Sequence, residues 1–362
     1  MDAIQEQDIA RAAIDAFHEQ TGLTLTQDCS EGPEADGLLY LNEADVVLVA
    51  WVKKWVAHVP VGVLLDRMAR LSEPGKGILL ADHVNPELAV KLKAAGVQFL
   101  DSAGNAFLRQ PPLYVYITGR KPTRPLTTGA TTAGRAFQPS GLKVVYAFLS
   151  NRELVNGTYR EIAGQTGVAL GTIGWVIRDL VEQGYLEERG RMRKRDWLRY
   201  DALLDKWVEA YPQKLRGKQL LGYFASDREM WWKQVRPEAY GAVWGGEIAA
   251  AEYTQYLNPV RATLYIPKMQ MGRFLKDERL RKAKAVEIEW PHATVELLEP
   301  FWKPGEDHGR LANPVLVYAD LIASGDSRNI ETAQKLRDQY IGQQPCSDCP
   351  GEGYPEDGAQ LI

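Results

Sequence analysis

The sequence predicts a multidomain protein of the mixed α/β (α+β) class, and three features lead to that prediction. Apolar residues alternate between strand spacing and helical spacing throughout residues 1–119. A stretch rich in proline, glycine and threonine, residues 120–138, then interrupts the periodic pattern. The chain of 362 residues is also longer than the roughly 100–200 residues of an average domain, so we expect two or three domains.

The first region, residues 1–119, is predicted to be a mixed sheet with helices packed on it. Its predicted helices cover 8–20, 61–71 and 86–95, and its predicted strands cover 37–42, 45–53, 78–81, 97–100 and 113–117. The third helix has the clearest ends. Asn85 is a typical N-cap residue, Pro86 suits the first helical position, and Gly96 follows the last turn.

Residues 120–138 are predicted to be a linker, and residues 139–200 to form three helices followed by a hairpin. An apolar helix covers 141–149, and Thr158 caps a second helix, 159–166, with Glu161 at the capping-box position. Gly167 and Val168 form a tight turn before a third helix, 170–183. Strands at 185–188 and 196–200 then flank the basic loop RGRMRKR, 189–195. This order of elements is typical of a winged helix-turn-helix DNA-binding domain.

Positive charge is concentrated in this central region, although the whole chain has a net charge of −4. Residues 120–200 contain 14 Lys and Arg against 7 Asp and Glu, whereas the rest contains 29 against 40. A local basic segment is the electrostatic feature that a DNA-binding surface requires. An alternative is that this domain binds another protein and that its charges are merely solvated.

The third helix of the central region is the predicted recognition helix. Small or polar residues near its N-terminus would let it approach base edges in the major groove, and Arg178 could reach a phosphate or a guanine. The arginines of the basic loop could follow the phosphate backbone or enter the minor groove. The predicted DNA-binding residues are Tyr159, Arg160, Gly171, Thr172, Gly174, Trp175, Arg178, Arg189, Arg191, Arg193, Lys194 and Arg195.

Residues 201–341 are predicted to form a further α/β domain, and residues 342–362 a disordered tail. Predicted helices cover 203–215, 246–257, 315–323 and 328–340, and predicted strands cover 220–224, 262–266 and 285–289. The region contains six of the ten tryptophans, which we interpret as core or interface residues.

The element order of residues 1–119 resembles that of the restriction-endonuclease-like PD-(D/E)xK nucleases. In that family an acid and an acid-x-Lys tripeptide on neighbouring strands bind Mg²⁺ and activate water. Asp36 corresponds to the first acid and Lys53 to the lysine, but Trp51 occupies the position of the second acid. Because an indole cannot ligate magnesium, we expect a nuclease-like fold without catalytic residues. The alternative is an active Mg²⁺-dependent nuclease or DNA-processing protein.

The sequence predicts neither a cofactor nor a metal site. It contains no phosphate-binding glycine motif, its five histidines are scattered, and Cys346 and Cys349 lack the further ligands of a closed zinc site. Three cysteines exclude a disulfide scaffold. No apolar run approaches a membrane span, and the acidic N-terminal residues do not resemble a signal peptide, so we expect a cytoplasmic protein.

Four long runs give the chain its most specific pattern: FQPSGLKVVYAFL (137–149), TYREIAGQTGVALGTIGWVIRDLVEQGYL (158–186), WGGEIAAAEYTQYLNP (244–259) and VLVYADLIASGDSRNIETA (315–333). In these runs the chain resembles the AbiEi-type antitoxins and transcriptional regulators of type IV toxin–antitoxin (abortive infection) systems, in the branch with a restriction-endonuclease-like N-terminal domain. The runs AAGVQFLDSAGNAFLR (94–109) and VVLVAWVKK (46–54) also fit. Trp51 is the clearest departure from the pattern.

This resemblance implies a repressor of its own operon. It implies that the winged helix binds operator repeats in double-stranded DNA, as a homodimer or as cooperating monomers, and that the C-terminal domain, residues 201–341, counters a nucleotidyltransferase-like toxin. The antitoxin role rests on this analogy alone.

Overall fold

The computed structural model describes residues 2–28, 36–54, 56, 59–71, 73, 75–121, 134–190, 194–228, 230–289, 294–303 and 309–342. Within these residues, helices pack on sheets of seven, five and two strands, which confirms the mixed α/β class. The greater part of the predicted linker and the predicted C-terminal tail lie outside the described residues.

The N-terminal region is a seven-stranded sheet covered by helices on both faces. Its strands are β1 (Leu25–Asp28), β2 (Gly37–Leu41), β3 (Val46–Lys53), β4 (Gly77–Ala81), β5 (Gln98–Asp101), β6 (Ala106–Gln110) and β7 (Leu113–Ile117). They lie side by side in chain order; β3, β4 and β5 are mutually parallel, and the other neighbours are antiparallel. The helices are α1 (Asp2–Thr21), α2 (Val61–Leu71) and α3 (Pro86–Ala94).

Successive side chains of a strand point to opposite faces of the sheet and therefore pack against different helices. Leu48, Ala50 and Val52 of β3 point to the α1 face, where Phe17 is buried with them. The opposite face of the sheet carries α2 and α3 and continues into the core of the rest of the chain. The predicted cap of α3 is confirmed, because the Asn85 side chain accepts a hydrogen bond from the Leu88 amide.

A helical module, which we define as residues 134–200, follows. It contains a short 3-10 helix (Arg135–Phe137), α4 (Pro139–Ser150), a second 3-10 helix (Arg152–Asn156), α5 (Tyr159–Thr166), α6 (Leu170–Glu182) and a hairpin of β8 (Leu186–Arg189) and β9 (Lys194–Trp197). The first 3-10 helix lies within the predicted linker, and it packs against α4 and α6 with Ala136 and Phe137 buried.

The C-terminal region is built on the five-stranded sheet. Its strands are β10 (Leu220–Ala225), β11 (Val243–Gly245), β12 (Ala262–Tyr265), β13 (Arg281–Lys282) and β14 (Thr294–Leu298), in the order β11-β12-β14-β10-β13. Its helices are α7 (Tyr200–Tyr211), α8 (Gly217–Gln219), α9 (Gly246–Thr254), α10 (Lys268–Asp277), α11 (Ala285–Glu289), α12 (Pro314–Ser324) and α13 (Ser327–Leu336), with π-helical turns at Pro212–Arg216 and Arg337–Ile341.

One predicted element of this region is wrong. Residues 285–289 were expected to form a strand, but they form the short helix α11. The central strand of the sheet is β14, which the sequence did not predict and which pairs with β12 on one side and β10 on the other. In residues 285–289, tertiary packing overrides the local strand pattern.

Side-chain packing joins the three regions. A Cβ atom built on Gly62 of α2 would lie 1.9 Å from the Ile322 carbonyl oxygen of α12, so only glycine permits this approach. Across the predicted boundary at residue 200, the Trp207 indole stacks on Tyr146, and its Nε1 donates to the Leu142 carbonyl at 2.9 Å. None of the helices in the described ranges combines the length and apolar character needed to cross a bilayer.

Candidate nucleic-acid interface

Local capping and turn signals that are visible in the sequence fix helices α5 and α6 of the module. Thr158 accepts from the Glu161 amide, and the Glu161 carboxylate accepts from the Thr158 amide, which completes the predicted capping box. Gly167 ends α5 with φ = 67°, a left-handed conformation that glycine adopts without strain. The turn at Gly167 therefore fixes the direction in which α6 begins after α5.

Burial of one face of α6 determines which residues the other face presents. Four apolar residues at helical spacing are buried on this face: Ile173, Val176, Ile177 and Leu180. The opposite face exposes Gly171, Trp175 and Arg178, and Thr172 is half-buried beside them. Among the described residues, no atom outside the helix backbone next to Gly171 lies within 4 Å of a Cβ built there, so this part of the described surface is open to a partner.

Two guanidinium groups lie against the exposed ring of Trp175. The side chain is 46% exposed, and the guanidinium carbons of Arg178 and Arg135 lie 4.6 and 4.3 Å from the ring centroid. Neither arginine forms an ion pair with a carboxylate in the part of the chain that the structure describes. A stacked cation keeps its outward N–H groups available to phosphate oxygens or base acceptors.

Asp179 holds Arg135 in place beside Trp175. Its carboxylate accepts from the Ala136 amide at 2.8 Å and from Gln183 Nε2 at 2.7 Å. The segment that carries Arg135 is thus tied to α6 by a residue of α6 itself. The sequence pattern does not point to Arg135, because no periodicity in residues 120–138 indicates that this end of the segment packs on the predicted recognition helix.

Gly174 has a different role from the one we predicted. A Cβ atom at this position would lie 3.3 Å from the ring of Tyr159, so the glycine makes room for an intramolecular contact rather than for DNA. Tyr159 is still 37% exposed, and Arg160 beside it is exposed. These two residues extend the exposed surface from α6 to the start of α5.

The described part of the hairpin carries balanced charge. Arg189 pairs with Glu187 at 2.7 Å and lies 3.7 Å from Asp196, whose other carboxylate oxygen lies 3.8 Å from Lys194. The side chains of Arg189 and Lys194 are nevertheless about two-thirds exposed. Arg191 and Arg193 lie outside the described residues.

Arg195 does not belong to an exposed DNA-binding surface, contrary to the sequence prediction. It is only 8% exposed, and its Nη1 donates to the Val155 carbonyl at 2.5 Å while Nε faces Glu188 at 3.4 Å. Its backbone exchanges two hydrogen bonds with the Asn156 side chain. Arg195 therefore attaches the hairpin to the helical module.

The three nuclease-related positions do not come together as a metal site. Trp51 and Lys53 lie on the same side of β3, in a cavity of about 150 Å³ between β3, α2 and α7, and Asp36 does not line that cavity. The Asp36 carboxylate instead accepts a hydrogen bond from the Val52 amide at 2.7 Å. Lys53 Nζ pairs with Glu209 of α7 at 2.5 Å, with 15% of its side chain exposed.

The carboxylates of this cavity are each paired with a basic side chain. Asp66 and Asp205 pair with Arg70, and Glu209 pairs with Lys53. Burial lowers the pKa of Lys53, and Glu209 only partly offsets that effect. Across the described residues, no group of three His, Cys, Asp or Glu side chains has the arrangement of a metal-ligand set.

Residues 197–342 match the family model described as "Transcriptional regulator, AbiEi antitoxin, Type IV TA system". The match begins in β9 of the hairpin and extends through the C-terminal region. It supports an antitoxin and regulator family for that part of the chain. No curated protein and no solved structure shows significant similarity to the chain.

Proposed function

We propose that this protein is a DNA-binding transcriptional regulator, an autorepressor, that acts as the antitoxin of a type IV toxin–antitoxin system. The family match of residues 197–342 supports the regulator and antitoxin class. The observation that carries the DNA-binding part is the exposed face of α6, where the guanidinium groups of Arg135 and Arg178 both lie against the ring of Trp175. Its partners on this proposal are duplex DNA and, functionally, a nucleotidyltransferase-like toxin.

In this proposal the helical module is a winged helix-turn-helix with α6 in the major groove. Thr172, Trp175 and Arg178 face the bases, while Arg135 and Arg160 contact phosphates beside them. Arg189, Arg191, Arg193 and Lys194 of the hairpin lie along the backbone. Because operator repeats come in pairs, the protein binds as a dimer or as two cooperating monomers.

The N-terminal sheet region, on the same proposal, is a restriction-endonuclease-like domain that does not cleave DNA. Trp51 replaces a metal-binding carboxylate, and the lysine that would activate water is held in an ion pair by Glu209. The N-terminal region shares a hydrophobic core with the rest of the chain, and Gly62 of α2 closely contacts α12. Both features suit a role in supporting the other regions.

A fluorescence anisotropy titration with the DNA upstream of the protein's own gene tests the DNA-binding proposal. Each phosphate contact releases counterions, so the logarithm of affinity should fall linearly with the logarithm of salt concentration. Arg135→Ala should reduce that slope by about 1, because Arg135 contacts a phosphate in this proposal, whereas Arg178→Ala should lower affinity and sequence discrimination, because Arg178 faces a base. Lys276→Ala, which removes an exposed lysine from α10, is the matched control.

The antitoxin part needs a separate measurement. Co-expression with the nucleotidyltransferase-like product of an adjoining reading frame should restore growth that the toxin alone arrests. Variants of Arg135 and Arg178 should abolish operator binding but keep this rescue when expressed from an unrelated promoter. The absence of rescue by the wild-type protein would reject the antitoxin role without affecting the DNA-binding proposal.

A further inference from the structure

A second cavity lies where the helical module meets the C-terminal region. Its volume is about 160 Å³. The residues that line it come from the end of α4, the start of α7, the start of α12 and the end of the described chain: Leu149, Ser150, Arg152, Tyr200, Asn313, Pro314, Val315, Tyr340 and Ile341. Among these described lining residues Arg152 carries the only charged side chain, and none is an aspartate or glutamate.

The polar groups of this cavity are predominantly hydrogen-bond donors. Arg152 is stacked on the Tyr200 ring at 3.8 Å and gives one N–H to the Ile341 carbonyl at 3.0 Å, and it forms no ion pair with any described carboxylate. The Ser150 hydroxyl is buried and has no partner among the described residues. The Arg152 guanidinium therefore provides a cation with N–H donors for an acceptor that carries negative charge.

Asn313 adds a second donor at the start of a helix. It is only 7% exposed, and its Oδ1 caps α12 by accepting from the Val315 amide at 3.0 Å. Its Nδ2 has no hydrogen-bond partner in the described part of the chain, and the residue lines the cavity. The first amides of α12 already donate to Asn313, so the helix contributes only the positive end of its dipole.

We infer that this cavity is a binding site for a small organic anion with a phosphate or carboxylate head group. Arg152 and Asn313 bind the head group, and the apolar surfaces of Leu149, Tyr340 and neighbouring residues contact the rest of the molecule. The recessed volume admits a small molecule rather than a nucleic-acid duplex. This site is separate from the exposed face of α6.

The same residues connect the cavity to the hairpin. The Arg152 carbonyl accepts from Trp197 Nε1 of β9 at 3.2 Å, and the 3-10 helix that Arg152 begins is attached to β9 through Asn156 and Arg195. A ligand that draws the Arg152 guanidinium toward the cavity therefore changes the support of the hairpin. The regulatory part of this inference rests on the proposed function, because it makes the ligand an effector of DNA binding.

Calorimetric titration with inorganic phosphate, and separately with acetate at the same ionic strength, tests the site without DNA. Asn313→Asp keeps the oxygen that caps α12 but replaces the Nδ2 donor by a negative charge. It should weaken phosphate binding by at least about tenfold and leave the fold intact. Arg152→Gln should act in the same direction, and Arg310→Gln, an exposed arginine elsewhere, should leave binding unchanged.

The outcomes separate the site from its regulatory role. Wild-type protein that binds neither anion, or Asn313→Asp protein that folds and binds phosphate like the wild type, would overturn the site. At constant ionic strength, phosphate should shift the operator affinity of the wild type but not that of Asn313→Asp. Equal shifts in both proteins would overturn the coupling between the cavity and DNA binding. Anion binding in a protein without operator affinity would reject the proposed function but not the site.

Discussion

Asp205 of α7 is the charge on which the contact between the N-terminal and C-terminal regions depends most. Its carboxylate accepts hydrogen bonds of 2.8–2.9 Å from Arg67 and Arg70 of α2 and from Arg337. Removing one partner of a buried ion pair costs about 3–5 kcal/mol, because the remaining charges stay buried without compensation. The Asp205 side chain is 20% exposed, so we expect the lower end of that range, about 3 kcal/mol, for Asp205→Ala.

Asp201 provides a matched control on the same helix. It binds the same Arg337 side chain at 2.6 Å, but it is 61% exposed. Asp201→Ala should therefore cost only about 0–1 kcal/mol. Urea unfolding followed by tryptophan fluorescence measures both free energies of unfolding. Equal losses for the two variants, or a loss below about 1 kcal/mol for Asp205→Ala, would refute the reasoning that burial of this pair joins the two regions.

Three further predictions concern the other buried charges and their dependence on pH. Burial alone would raise the pKa of Asp205, but the neighbouring arginines lower it below the ordinary value. The ionised carboxylate therefore stabilises the folded protein fully above the unfolded pKa of about 3.9, and this stabilisation is lost as the pH falls through the pKa of the folded state. Between about pH 5 and 2 the wild type should therefore lose more stability than Asp205→Ala in acid titrations followed by circular dichroism; parallel curves would contradict this. Burial raises the pKa of Asp320 despite the nearby Arg216. Any stabilisation that depends on the protonated carboxyl group is therefore lost as the pH rises through the folded pKa. The free energy of unfolding of Asp320→Asn, measured with urea at pH 7, should therefore equal or exceed that of the wild type. A clear loss of stability in that variant would show that the ionised pair is the favoured state. Lys53→Met should lower the free energy of unfolding by about 3 kcal/mol, because it leaves Glu209 unpaired. The double variant Lys53→Met/Glu209→Leu should recover most of that loss in the same assay. No recovery would show that the ion pair itself stabilises the contact.

Local signals explain why much of the fold could be predicted from the sequence. Helices α2 and α6 and strand β7 agree with their predicted bounds to within one residue, since each has a clear period and a clear end. The caps at Asn85 and Thr158 act through hydrogen bonds within three residues, which a sequence displays directly. The buried residues of α6 follow from helical spacing alone.

Elements that depend on distant partners could not be predicted in the same way. Strand β14 contains Glu296 among apolar residues, and it is buried because Arg216, 80 positions earlier, binds that carboxylate with two hydrogen bonds. The alternation in 285–289 predicts a strand, but the sheet positions are occupied by other segments. Composition cannot show either effect, because both arise from contacts between segments far apart in sequence.

The candidate site was predictable in location but not in every residue. Charge and helical spacing select Trp175 and Arg178, and the structure leaves both exposed. Arg195 looks the same in sequence as its basic neighbours, yet the Val155 carbonyl and Glu188 bind its guanidinium. Arg135 joins the surface only because Asp179 binds the backbone next to it.

The most direct test of the central claim is the affinity of the Arg135→Ala/Arg178→Ala double variant for the DNA upstream of the protein's own gene. Anisotropy titrations at several salt concentrations should show that this variant loses most of its specific affinity, because Arg178 faces a base, and that its salt slope is smaller by about 1, because Arg135 contacts a phosphate, whereas Lys276→Ala binds like the wild type. A double variant with wild-type affinity and an unchanged slope would contradict the assignment of DNA binding to the exposed face of α6.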